Sequence, residues 1–147
     1  MAERVIADPP DRGTVIAAIM PGVLAIRLDA DDDEVGAARI VCTAVGPCAG
    51  MLVVKEVFGR VGVRTRALVA EGDVVGLDQT VAEVGGPLAA IRGVGPLALA
   101  WLAHLSAVAS GATTPQPGDP LDAWAVRLSA GGAVGHDGAS FRVEFEG

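Results

Sequence analysis

Residues 66–114 read RALVAEGDVVGLDQTVAEVGGPLAAIRGVGPLALAWLAHLSAVASGATT, and two hydrophobic patterns meet inside them. The first half, EGDVVGLDQTVAEVGGP, has strand-turn-strand grammar. Gly72-Asp73 and Gly76 turn the chain while Val74, Val81 and Val84 serve as apolar pegs, which predicts a tight, hammerhead-like β hairpin. In the second half Leu97, Trp101, Leu105 and Val108 recur at spacings of three and four, and Leu99, Leu102 and Ala109 widen the stripe. That spacing predicts one long helix over residues 94–109, buried on most of its surface. Strands and a helix in this order give an α+β fold with a small mixed sheet.

The flanking sequence fits one domain over residues 1–147. Upstream, 36–50 reads as a strand with a corner at Gly46-Pro47, and 51–60 as a helix with Leu52, Val53, Val57 and Phe58 turned inward. Residues 62–70 return as a strand with Val63, Thr65, Ala67 and Val69 on one face. Residues 1–13 are expected as an arm, 14–20 as a short helix or strand, and 23–30 as a strand leading into the acidic turn at 29–34. Downstream, TTPQPGDP is a break. After it, 122–128 alternates as a strand, 131–138 is a Gly-rich turn, and 140–147 is a terminal strand with Phe141, Val143 and Phe145 facing one way. Residues 119–147 are thus expected as a C-terminal β hairpin that caps the domain.

Composition sets bounds on partners. With 51% hydrophobic and 20% charged residues, a chain of 147 can bury roughly two thirds of its unfolded surface, so it folds. No Tyr, three Phe and two Trp leave at most a thin stacking platform for single strands, and 11 Lys+Arg against 18 Asp+Glu repel duplex nucleic acid. No nucleic acid is therefore expected as a partner. Neither a signal peptide nor an apolar run of membrane-spanning length is visible, so no membrane is expected and the cytoplasm is the expected location. Cys42 and Cys48 flank the Gly46-Pro47 corner, which could let them pair; the other reading is two small buried apolar residues.

The block EGDVVGLDQTVAEVGGPLAAIRGVGPLALAWLAHLSAVASGAT resembles the N-terminal domain of quinolinate phosphoribosyltransferase, also called nicotinate-nucleotide diphosphorylase. That family carries a pattern close to dGd.v..Gq.la.veGpar.lL.aER.aLN.l..lSGIAT. The likeness reaches upstream through ARIVCTAVGPCAGMLVVKEVF and covers residues 37–110; in the tail, TTP and DAWAVRLSAGGAVGHDG are fainter echoes. The resemblance implies a homodimer and a fold followed, in the family, by a large catalytic barrel for which this chain has no room. It also shows what is missing. The family's Glu-Arg pair falls on Gly95 and Pro96 and its Asn on Ala100. In the tail a Lys falls on Ala123 and an Arg on Asp137, with only the His kept, as His136. A site for a pyridine dicarboxylate and a phosphoribosyl pyrophosphate needs cationic forks. A chain of net charge −7 without them implies that phosphoribosyl transfer is lost.

The remaining candidates for chemistry are few. His104, His136 and Asp137 are the candidate catalytic residues, and Trp101, Trp124 and Arg92 the candidate substrate-binding residues, provided the tail folds over the long helix. The ligand expected there is a weakly charged small molecule, transformed in a specialised biosynthetic pathway; the alternative is a non-catalytic dimeric binding or regulatory subunit. No metal and no cofactor are expected: two histidines without HxH or HxxxH spacing make no zinc set, and the acidic run at 29–34 lacks the glycine and closing glutamate of a calcium loop. Residues 131–138 contain no Lys or Arg and precede no helix, so they make no phosphate cradle. Ser106 and Ser110 lack a nucleophile elbow. Lys55, the single lysine, is not at the hairpin tip where a lipoyl or biotinyl carrier would need it.

Overall fold

The chain runs α1 (Arg12–Leu24), β1 (Val35–Ala44), β2 (Gly46–Pro47), α2 (Met51–Gly59), β3 (Arg64–Ala67), β4 (Val74–Val75), β5 (Thr80–Pro87), α3 (Leu88–Ser110), α4 (Pro120–Leu128) and β6 (Ser140–Phe145). This is a computed structural model, and it describes residues 8–28, 34–128 and 138–146. β1 is the axis of a 4-stranded antiparallel sheet of order β3-β5-β1-β6, while β2 and β4 form the small second sheet of the hammerhead. Alternation along β1 decides which face is buried. Ala38, Ile40 and Cys42 point into the core and Arg39 points out. The same alternation aligns Arg66, Glu83, Arg39 and Glu144 across the four strands as a row of alternating charge on the outer face.

α3 fills the inner face. Ile91, Val94, Leu102 and Leu105 are all at most 1% exposed, and each contributes roughly 1.5–3 kcal/mol by leaving water. Val53, Val54, Val57 and Phe58 of α2 close the core beside it. α2 starts without a cap of its own: Gly50 is left-handed at φ 112 and offers no side chain. Glu71 supplies the cap from the hairpin, its two carboxylate oxygens accepting the N–H groups of Gly50 at 3.1 Å and Met51 at 2.7 Å. Burial raises the Glu71 pKa despite those bonds. A side chain at Gly50 would be strained and would meet Leu105 at 2.9 Å, so this glycine sets how closely α2 and α3 approach.

The α+β class is as the sequence predicts, and several boundaries are not. α3 begins at Leu88, six residues before the expected start, because Ala90, Ile91 and Val94 are buried and that burial outweighs the poor helix propensity of Gly93, Gly95 and Pro96. By length and composition it is then a helix able to cross a membrane, contrary to the reading of the apolar run; here it forms the core of the fold. Residues 14–20 are helical, and α1 continues through Pro21 to Leu24, so the strand expected over 23–30 does not form among the described residues. Residues 12 and 13 of the expected arm belong to α1, started by Asp11, which accepts the Thr14 N–H at 2.8 Å.

The largest correction is in the tail: residues 122–128 lie in helix α4. Asp119 caps that helix, its Oδ1 accepting the N–H of Leu121 at 2.9 Å, and Pro120 follows where a missing N–H costs nothing. Leu121, Trp124 and Ala125 form its buried stripe, a spacing of three and four that fits a helix better than a strand. The capping segment therefore keeps its terminal strand, but that strand pairs with β1. Cys42 and Cys48 are free and buried, and desolvation raises both thiol pKa values.

Candidate functional site

α3 presents Leu97, Ala100, Trp101 and His104 on successive turns of one face. The Gly111 C-cap, with backbone N–H groups returned to Ala107 and Val108, reverses the chain there. The loop that follows carries Gln116 and Asp119 back alongside the helix and delivers Asp122 in the first turn of α4. Together these seven residues line an open cleft of about 250 Å3.

Its centre is a carboxylate–imidazole pair. Asp122 is buried, its side chain 2% exposed, and its Oδ1 lies 2.8 Å from His104 Nε2. Its Oδ2 accepts the backbone N–H of Gln116 at 2.9 Å, so both oxygens are committed. A carboxylate only accepts, so Nε2 must carry the proton and the neutral ring keeps its lone pair on Nδ1. The His104 side chain is 40% exposed in the cleft wall. Trp101 meets it edge-on, ring centroids 6.4 Å apart at 80°. Such a pair can accept a proton at Nδ1 while Asp122 stabilises the resulting imidazolium. Leu97, Ala100 and Trp101 give the cleft its apolar lining and Gln116 and Asp119 the rest of its polar lining; no Lys or Arg lies among the cleft residues, so the site holds no guanidinium or ammonium to grip a phosphate or a dicarboxylate.

The sequence-predicted residues divide. Trp101 and His104 come together in the cleft. Trp124 does not: it is 1% exposed, on the core side of α4, and its indole Nε1 has no partner among the described residues. Arg92 lies on α3 about 18 Å of helix rise before His104, stacked over the Phe145 ring at 5.3 Å. His136 and Asp137 fall outside the described residues. Ser106 is buried and exchanges hydrogen bonds with the Ala49 backbone, and Ser110 donates to the Ala107 carbonyl, so both hydroxyls serve local structure. Asp122, Gln116 and Asp119 were missed. The Asp119-Pro120 helix start was their available signal.

Among the described residues no group of three His, Cys, Asp or Glu is arranged to hold a metal ion. No protein-family model and no curated protein matches the chain. Its fold, however, is found among solved structures. The nicotinate-nucleotide pyrophosphorylase from Francisella tularensis superimposes with a TM-score of 0.72 at 16% identity, covering 88% of this chain and 55% of that one. NadC from Streptococcus pyogenes gives 0.69 at 18% identity, covering 84% and 54%. The corresponding pyrophosphorylase from Ehrlichia chaffeensis gives 0.58 at 16%, covering 81% and 51%. The chain thus spans about half the length of the structures whose fold it shares.

Proposed function

We propose that this chain is a repurposed relative of the nicotinate-nucleotide pyrophosphorylases, in which phosphoribosyl transfer is lost and the α3–α4 cleft binds a weakly charged small molecule. The observation that carries this reading is the His104–Asp122 pair in a cleft without a cation. Leu97, Ala100 and Trp101 supply apolar contact area for a flat ligand, and His104 Nδ1 supplies the base, so the bound molecule is transformed by proton transfer. Asp119 and Asp122 give the cleft a negative pole, which favours a neutral or cationic ligand over an anion. A step in a specialised biosynthetic pathway fits such a site.

Thermal-shift screening tests it. Neutral and cationic heteroaromatic compounds should raise the melting temperature; a ligand at a hundred times its Kd adds about 2.7 kcal/mol. For a domain of this size that is roughly 5–11 °C. The shift should vanish in Trp101→Ala. Stabilisation by quinolinate or phosphoribosyl pyrophosphate would overturn the proposal.

A second reading, a non-catalytic dimeric binding subunit, is favoured by a different feature. An apolar hollow of about 370 Å3 lies between α3 and β6, away from the cleft, lined by Ile91, Pro96, Leu99, Val143 and Phe145 with Arg92 and Gly95.

A further inference from the structure

β6 is an edge strand: among the described residues, nothing pairs with it on the side away from β1. Its outward hydrogen-bonding residues can be identified. Glu146 donates its backbone N–H to the Ala37 carbonyl at 3.0 Å, and the register runs from Ala38 opposite Phe145 to Cys42 opposite Phe141 without a shift. Backbone groups alternate sides in an antiparallel ladder, so Glu144 and Arg142 turn theirs toward β1, while Phe141, Val143 and Phe145 turn theirs to the open edge. An edge of this kind, carrying aromatic and β-branched residues, is a template for another strand.

The sequence of that edge is self-complementary. Phe141-Arg142-Val143-Glu144-Phe145 reads the same in both directions once opposite charges are treated as partners. Laid antiparallel on a second copy about Val143, it sets Val143 against Val143, Phe141 against Phe145 and Arg142 against Glu144. The backbone groups at the open edge are those this register uses. Arg142 and Glu144 then face each other in the non-hydrogen-bonded pair, with side chains about 4.5–5.5 Å apart at Cβ. On the opposite face of the strand, Val143 and Phe145 wall the apolar hollow, and Phe145 is 44% exposed there. Pairing would bring the two hollows together beneath one continuous sheet and cover both.

We infer that the chain forms a two-fold dimer by antiparallel pairing of β6 with β6 of a second copy, centred on Val143, joining the two sheets and closing the α3–β6 hollow. This interface is independent of the cleft, and its failure would leave the small-molecule reading untouched.

Light scattering and sedimentation at tens of micromolar protein provide the test. The wild-type chain should have twice the mass of the 14.8 kDa protomer. Arg142→Glu puts two glutamates on each edge and Glu144→Arg puts two arginines there, so each variant alone should fall to the protomer mass. Mixed in equal amounts, the two present opposite charges at both positions and should recover the dimer. The intrachain pairs these changes remove, Arg142–Glu144 by either one, Arg142–Asp78 by the first and Arg39–Glu144 by the second, lie at the surface and add little stability, so both variants should keep the wild-type melting temperature to within a few degrees. A wild-type chain of protomer mass, single variants that stay dimeric, or a mixture that stays at protomer mass would each overturn the inference.

Discussion

Asp122 is the residue on which the proposed site stands, and replacing it separates architecture from chemistry. In Asp122→Ala two hydrogen bonds disappear, that from His104 Nε2 at 2.8 Å and that from the Gln116 N–H at 2.9 Å. Bonds to a charged group contribute about 1.5–3 kcal/mol each. The imidazole is 40% exposed and regains water, so its share lies at the low end. A loss of about 3–4.5 kcal/mol follows, which for a domain of this size is roughly 6–18 °C in melting temperature.

Asp122→Asn keeps the shape and changes the chemistry. The amide oxygen must serve the Gln116 N–H, so the amide N–H2 is left facing His104 Nε2, which can only accept from it. The neutral ring is forced from the Nε2–H to the Nδ1–H tautomer, and Nδ1 loses the lone pair that makes it basic. Stability should drop by under about 1.5 kcal/mol while proton transfer is abolished. Nitrogen NMR of the imidazole reads the tautomer directly, and denaturant melts read the stability. Finding Nδ1–H already in the wild-type protein, or an Asp122→Ala melt within about 0.5 kcal/mol of wild type, would refute the proposed pair.

Glu71 makes stability depend on pH in the direction opposite to an ordinary carboxylate. Its folded-state pKa lies above the usual 4.5, so the folded protein holds that proton more tightly. The stability it contributes is complete below pH 4.5 and is lost as pH rises through the raised value. The deficit of Glu71→Gln against wild type in urea unfolding should therefore be larger near pH 4.5 than near pH 7; a deficit that grows with pH would mean that the two capping N–H bonds outweigh burial. Gly50→Ala should cost about 2–4 kcal/mol, from a non-glycine residue held at φ 112 and a Cβ 2.9 Å from Leu105 Cδ1, and a melt unchanged to within a degree would show that α2 and α3 have room to separate.

What the sequence told about this fold depended on how local the signal was. Residues 35–110 were legible because each element carries its own period: alternation in β1 and β3, a stripe at three and four in α2 and α3, and glycines at the hammerhead turns. The N-terminal boundary of α3 was lost because Gly93, Gly95 and Pro96 are helix-breaking signals in isolation. They are overridden by the core that Ile91 and Val94 enter, whose other members come from distant parts of the chain that no local window contains.

The site failed to show for a related reason. A strand at 122–128 folded over the long helix would offer Trp124 to the pocket of Trp101 and His104; in a helix Trp124 and Asp122 point about 200° apart. That turn sends Trp124 into the core and leaves Asp122 to meet His104 on α3. The decisive observation was available in Asp119-Pro120, a residue that accepts N–H groups followed by one that lacks its own, ahead of an apolar stripe at helical spacing. Arg92 had no such clue, since the ring beneath it comes from Phe145 through the sheet pairing of β6 with β1. The histidine on the helix could therefore be identified from its own neighbours, whereas its partner carboxylate could be found only after the element carrying it had been assigned the right period.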